Sequence, residues 1–209
     1  MTDYPLKSAD GNILIGIDEV GRGCLAGPVY AGAVVFSGPE DIETYLDSKT
    51  LSEVKRKLLS DSINKYHHVA IGVASVEEID ELNIRQATFL AMQRAVEDLM
   101  KKLNLTRTHL LIDGRDIIPN FDLCSQEAII KGDQKVRLIS AASIAAKVAR
   151  DEFMTDLSKS AGFNCYGFEK HKGYGTEFHR QRISENGPSV WHRKSFGGVK
   201  EYLSLSSAR

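Results

Sequence analysis

Four carboxylates stand where apolar runs stop. The run L-I-G-I at 14–17 closes on Asp18-Glu19, H-L-L-I at 109–112 closes on Asp113, and A-I-I-K-G at 128–132 closes on Asp133. A lone acid at such a point usually serves a turn or a helix cap; three strand ends in agreement ask for a common reason. Carboxylates gathered at adjacent strand ends repel, which raises their pKa values and is unfavourable unless a cation sits among them. All-oxygen ligands suit hard divalent ions, Mg²⁺ or Mn²⁺, rather than zinc. Two such ions close together can activate a water and stabilise the leaving oxygen of a phosphodiester. Asp18, Glu19, Asp113 and Asp133 are thus the candidate catalytic and metal-binding residues.

A glycine-rich turn, Gly21-Arg22-Gly23, follows the first acidic pair. Glycine lets the main chain approach a ligand closely and offer its N–H and C=O groups. A dinucleotide fingerprint fails here on two counts. The spacing of Gly21, Gly23 and Gly27 is one residue too long, and an apolar strand-like run follows where a helix is required. No Walker A sequence occurs.

The elements that must hold these residues follow from periodicity. Residues 13–18 and 29–36 read as an antiparallel strand pair, and 67–76, 109–114 and 128–133 as further strands. Residues 47–66 read as a helix opened by cap-like Ser and Thr residues, and 83–103 as the clearest helix, with Phe89, Met92, Val96, Leu99 and Leu103 at helical spacing. Residues 140–159 form a helix rich in Ala and Ser, able to pack close to a sheet. Residues 175–187 form another, ending at Asn186-Gly187. Strands interleaved with helices give an α/β class. The whole chain, 1–209, reads as one domain whose tail, from about 162, folds back as a small helical extension.

Composition narrows the setting. The 209 residues are 42% hydrophobic and 26% charged with a net charge of −1, ordinary for a globular protein. No apolar run approaches the roughly 20 residues a membrane span needs, and the polar start MTDYPLKSADGN lacks the build of a signal peptide. Cys24, Cys124 and Cys165 are odd in number and far apart, which predicts neither a disulfide framework nor a zinc site; a cytosolic address is the default. From Gly167 to Lys200 seven Lys/Arg face three acids, and His171, His179 and His192 fall in the same segment. That reads as a solvated face unless phosphate is implicated elsewhere.

The segments GIDEVGRG, DSKTLS, IDG, KGD, SAASIAAKVARD, HKGYGT and HRKSF, in this order and spacing, make the chain resemble the bacterial type 2 ribonucleases H (ribonuclease HII). The likeness runs from about Ile13 to Phe196. It implies a ribonuclease H-like fold, a mixed sheet flanked by helices, and metal-dependent endonuclease action on the RNA strand of RNA–DNA hybrids. It also implies cleavage 5′ of a single ribonucleotide in duplex DNA, leaving 5′-phosphate and 3′-hydroxyl ends. The family's metal ligands land on Asp18, Glu19, Asp113 and Asp133, with Mn²⁺ or Mg²⁺ as cofactor. Its ribonucleotide-sensing device lands on Gly21, Arg22, Gly23 and Tyr174, apt because a 2′-OH both donates and accepts, while an aromatic ring can stack on the deoxyribose beyond the junction. Lys49, Asn83, Ser143 and Lys147 become candidates for backbone phosphate contacts. Asp151 reads as a helix residue paired with a nearby cation, and the three histidines receive no catalytic role.

Two other readings use the same residues. A resolvase- or transposase-type nuclease would share the acids but lack the 2′-OH reader, and a non-catalytic nucleic-acid module would need no complete acid set. The expected partners are RNA–DNA hybrid and ribonucleotide-containing duplex DNA, with no membrane. The expected state is a monomer. The tail VKEYLSLSSAR holds no recognisable clamp-docking peptide.

Overall fold

The structure is a computed structural model that describes residues 5–40, 45 and 51–206, with side chains as far as residue 203. Lys49 lies outside the described residues. The chain forms two compact units, one of Met1–Val20, Tyr30–Val73 and Phe89–Val148, the other of Gly21–Val29, Ala74–Thr88 and Ala149–Arg209.

The first unit is built on a sheet of β1 (Ile13–Val20), β2 (Val29–Val35), β3 (His68–Ala74), β4 (Thr108–Asp113) and β5 (Ser125–Ile129), in the order β3-β2-β1-β4-β5. As the sequence predicts, β1 and β2 are antiparallel; β1 and β4, and β4 and β5, are parallel, so the sheet is mixed. β1 is its central strand. In-register neighbours share a face, and alternation then sorts the side chains. Ile15, Ile17, Leu110 and Ile112, all fully buried, lie on one face with Thr108, whose hydroxyl reaches Met100 Sδ on α3 (Ile84–Leu103). Leu14, Gly16 and Asp18 lie on the other with Leu111 and Asp113.

That second face is covered by α1 (Glu53–Tyr66) and α5 (Arg137–Lys159), through a core of Val34, Tyr45, Ile63, Leu138 and Ala142. α1 starts at Ser52, whose hydroxyl accepts from the Lys55 amide. α5 approaches the sheet closely because the sheet carries no Cβ beneath it. A Cβ on Gly16 would overlap the Leu138 carbonyl, and one on Gly32 the Ala142 carbonyl. Leu138 and Ala142 are one helical turn apart, so two glycines on neighbouring strands seat one stripe of the helix. Ser140 completes the seat by donating to the Tyr45 carbonyl.

Two elements differ from the sequence reading. The run 67–76 is a strand only to Ala74. Ser75 then caps α2 (Val76–Leu82) with a reciprocal Ser75–Glu78 capping box, a local satisfaction of helix N–H groups that wins over strand propensity. The strand placed at 128–133 is instead β5, Ser125–Ile129. Lys131 then adopts a left-handed conformation (φ 55°) and Gly132–Lys135 form the short helix α4.

The second unit holds α2, the start of α3, the end of α5, and the short helices α6 (Phe168–His171), α7 (Glu177–Asn186) and α8 (Lys200–Ser206). α7 is capped by Thr176 and ends at Gly187 (φ 74°), as predicted. Its core is aromatic. Tyr166 stacks on Phe168, His171 stacks on His179 at 4.1 Å between centroids, and His192 packs edge-on to Tyr166. Segments 25–27, 173–174 and 191–193 run side by side, joined by Leu25 N to Gly173 O (2.8 Å), Gly27 N to Trp191 O (2.8 Å) and Arg193 N to Leu25 O (2.9 Å).

Two measurements follow. Gly32→Ala should cost about 1–3 kcal/mol in urea unfolding, while Gly23→Ala, where a Cβ meets open space, should cost nothing and gain about 0.4–1 kcal/mol by stiffening the unfolded chain. Equal losses would show that α5 can lift off its seat. The second concerns pH. Burial, then the neighbouring imidazole, lowers His179 to about 4 and His192 to about 3. Between these values and the ordinary 6.5 the unfolded chain binds more protons than the folded one. Stability should therefore be full above about pH 6.5 and decline on acidification toward pH 4, less so in His192→Gln. A flat melting profile would mean that the imidazoles reach water.

Candidate active site

The acidic end of the sheet is a consequence of register. Ile17 of β1 is paired with Ile112 of β4, so the next residues, Asp18 and Asp113, are side by side and on the same face; Asp113 closes β4, whereas β1, read from the sequence as ending at residue 18, continues in its pairing with β2 to Val20. Asp18 is 5% exposed. Its carboxyl folds back to accept from the Glu19 amide (2.7 Å) and also accepts from the Ser143 hydroxyl of α5. Even so its pKa is raised well above the carboxylate range, first by burial, then by the charges of Glu19 and Asp113. Asp113 Oδ1 accepts from the Gly132 amide at 2.7 Å and faces the Asp133 amide at 3.4 Å. That ties the head of α4, and with it the buried Asp133, to the end of β4.

Asp133 is therefore not a strand-end residue but the second residue of a helix, aimed by the left-handed turn at Lys131. Strand alternation sends the Cβ of Glu19 to the face opposite Asp18, and its charge still bears on Asp18. Among the described residues no three His, Cys, Asp or Glu side chains stand already grouped as a metal ion would hold them; Asp18 and Asp113 are turned onto local amides instead. The donor set nevertheless fits a hard divalent ion. It is all carboxylate, and its innermost member is destabilised as an anion by a neighbouring carboxylate on either side, a situation that a cation relieves.

In the second unit the Gly21-Arg22-Gly23 turn is held from within. Arg193 is fully buried and donates to Gly21 O (2.7 Å), Arg22 O (2.8 Å) and Gly27 O (2.8 Å). Arg150, equally buried, donates to Pro28 O, Ala26 O and Lys172 O. Gly21 (φ 96°) is needed twice over, since a Cβ there would fall on Arg150 Nε. Gly23 is exposed, lies outside the left-handed region and faces open space. The expectation that all main-chain groups of the turn meet a ligand is thus narrowed. The carbonyls of Gly21 and Arg22 face inward, and the turn presents its Gly23 edge and the exposed Arg22 outward.

Tyr174 lies beside that edge. Its backbone bridges to Cys24, the residue after Gly23, and it is 42% exposed. Burial, with Cys24 close by, raises the phenol above its ordinary value near 10, so it keeps its proton at neutral pH.

The phosphate-contact candidates separate. Ser143 and Lys147 are one turn apart on α5 and so share a face, with Ser143 bonded to Asp18. Asn83 (φ 70°) caps α3, its side-chain oxygen accepting from the amides of Arg85 and Gln86, which accounts for it structurally. The basic count from Gly167 to Lys200 is not a solvated face throughout. Arg193 and the three histidines are buried, and Lys172 Nζ is bonded to Thr155 Oγ1 and Glu169 O. Arg150, Arg193 and Asp80 escaped the sequence reading. Asp80 accepts from Lys194 N, Ser195 N and Ser195 Oγ. The available signal was that Arg150 and Arg193 fall inside the motifs V-A-R-D and H-R-K-S-F.

The chain is similar to known proteins along most of its length. The sequence model of the family Ribonuclease HII matches residues 15–199. The ribonuclease HII of Pelagibacter ubique is 47% identical over 91% of this chain and 99% of its own, and that of Zymomonas mobilis 46% over 97% and 92%. Among solved structures, the ribonuclease HII of Archaeoglobus fulgidus, determined in complex with PCNA, superposes with a TM-score of 0.70 at 26% identity, covering 88% of this chain and 95% of that one. The Mn²⁺ complex of Bst-RNase HIII, at 18% identity, shares the fold with a TM-score of 0.70 over 94% of this chain and 70% of that one. The chain belongs to the ribonuclease HII family, metal-dependent endonucleases of the ribonuclease H type.

Proposed function

We propose that this chain hydrolyses the RNA strand of RNA–DNA hybrids and cuts 5′ of single ribonucleotides embedded in duplex DNA, leaving 5′-phosphate and 3′-hydroxyl ends. The observation that carries the reading is the pairing of Ile17 with Ile112, which sets Asp18 and Asp113 on one face of neighbouring strands, with the charges of Glu19 and Asp113 both acting on the buried Asp18 carboxyl. An apolar residue would be more stable there, so the acid is retained for what it binds.

Asp18, Glu19, Asp113 and Asp133 would hold one or two divalent ions, Mn²⁺ or Mg²⁺. When bound, such ions supply a polarised water and a counter-charge for the leaving oxygen. The protein's own groups do the rest. The Ser143 hydroxyl and the Gly132 amide fix the rotamers of Asp18 and Asp113. Lys147, one helical turn from Ser143, meets a backbone phosphate. Arg22 offers a second cation, and the open Gly23 edge lets a ribose approach the main chain. The neutral phenol of Tyr174 can donate to and accept from a 2′-OH, and its ring face stacks on the next sugar.

Asp18→Asn keeps shape but removes one negative charge. It should lower turnover by orders of magnitude while the fold persists. Mn²⁺ at a hundredfold excess over its dissociation constant should stabilise the wild-type protein by about 2.7 kcal/mol, with most of that shift missing in the variant. An Asp18→Asn protein that melts higher with Mn²⁺ just as the wild type does would remove Asp18 from the site.

Tyr174→Ala should reduce kcat/KM at a single embedded ribonucleotide about tenfold more than on a continuous RNA strand, the scale of one lost stacking contact. In continuous RNA the neighbouring sugar is no deoxyribose for the ring to select. Equal losses on both substrates would assign Tyr174 to general positioning. Gly23→Ala should raise KM on both substrates in a protein no less stable than the wild type, and an unchanged KM would mean that no substrate meets that edge.

A further inference from the structure

The histidines and the H-R-K-S-F segment have no part in the chemistry above, yet they are built with care. Backbone groups fix their protonation. The Ser189 amide donates to His192 Nδ1 at 2.9 Å, so that nitrogen is bare and His192 carries its proton on Nε2. His179 Nδ1 lies 2.9 Å from the Tyr174 carbonyl, which only accepts, so His179 carries its proton on Nδ1 and its Nε2 is bare. The two Nε2 atoms are 3.0 Å apart. One arrangement satisfies every contact: Ser189 N–H to His192, His192 Nε2–H to His179, His179 Nδ1–H to the carbonyl of Tyr174. Both rings are fully buried. The next residue, Arg193, clamps the carbonyls of Gly21, Arg22 and Gly27, its guanidinium over the Phe196 ring at 5.0 Å. Asp80 fixes the two residues after that.

We propose that the dipeptide His192-Arg193 is the positioning element of the sugar-reading surface: Arg193 sets the Gly21–Gly23 turn, and His192, acting through His179, sets Tyr174. Both halves of the reader then hang from one two-residue stretch, and the distance between turn and phenol is fixed from the interior. The inference rests on the reading of Tyr174 as the junction reader, and it assigns these residues no contact with substrate.

The test is a pair of near-isosteric variants. His179→Asn places an amide N–H where Nδ1–H stands and keeps the bond to the Tyr174 carbonyl, whereas His179→Gln places its polar end at the Nε2 position and loses it. The readout is kcat/KM on a single embedded ribonucleotide divided by kcat/KM on continuous RNA, a ratio from which any loss of folded enzyme cancels. His179→Gln should lower the ratio about tenfold, the scale of one buried hydrogen bond, and His179→Asn should stay within about twofold of wild type. Equal ratios in the two variants overturn the His192–His179 half. Arg193→Lys, which cannot span three carbonyls, should raise KM about tenfold on both substrates with kcat kept; an unchanged KM overturns the Arg193 half. Imidazole ¹H–¹⁵N spectra of the unmodified protein should show His179 as the Nδ1–H form and His192 as the Nε2–H form, and any other tautomer for His179 also overturns the relay. If Tyr174→Ala itself leaves the ratio unchanged, it is the junction reading that fails, and the tautomers still report on the relay.

Discussion

A carboxyl that the fold cannot comfortably ionise governs the first unit. β1 has a strand on either side and α5 seated across it, so a side chain in that strand, on that face, has little access to water. Asp18 stands there, with Glu19 next in sequence and Asp113 next in register. Ser143 and the Glu19 amide each return one hydrogen bond, and burial with two like charges outweighs them. Much of the surrounding architecture can be understood as the means of holding this destabilised group in place. The Gly16 and Gly32 gaps let α5 settle close enough for Ser143 to reach it, and the Lys131 turn brings the buried Asp133 round to the neighbouring strand end.

The second unit solves a different problem, the rigidity of a loop too short for a sheet of its own. Residues 21–28 run beside segments of only two or three residues, which supply few ladder bonds. Two guanidinium forks make up the deficit by bonding main-chain carbonyls. A lysine is a point charge on a flexible stem and could not span them. Taking a full charge out of water is costly, and burial holds Arg193 down to about 10, still cationic at neutral pH. The cost is tolerable because each fork satisfies several carbonyls that would otherwise be poorly paired. Using acceptors from the main chain also means that the clamp reads backbone position, whatever the side chains.

The sequence made the frame legible wherever one periodicity dominated. β1, β2 and β4 follow from alternating or fully buried apolar runs, and α3 from its heptad-like stripe. The small-residue face of α5 predicted its close approach to the sheet. The four acids were visible because charge beside an apolar run is locally anomalous, and two of them, Asp18 and Asp113, fall side by side. What failed was local geometry set by single residues. The αL turn at Lys131 converts an apparent strand end into a helix start, and no pattern of hydrophobicity records it. The Ser75–Glu78 capping box was written in the sequence, and it was overlooked because the β-branched residues around it read as strand. The Gly167–Lys200 cations, Arg193 among them, were read as a solvated face because charge predicts exposure. Arg193 and Arg150 reverse that rule because their partners are carbonyls, which composition does not count.

Gly21 and Gly23 show how far a motif letter can be resolved by structure. At Gly21 the protein itself demands glycine, through a left-handed φ and the Arg150 guanidinium that occupies the Cβ position. Its presence therefore says nothing about a ligand. At Gly23 the protein demands nothing, since the backbone is ordinary and the Cβ direction opens to solvent. Glycine at such a position leaves the unfolded chain about 0.4–1 kcal/mol more favourable than alanine would, with no compensating contact inside the fold. Nothing inside the fold asks for glycine there, in contrast to Gly21, and the open edge is one residue from Cys24, to which Tyr174 is bridged.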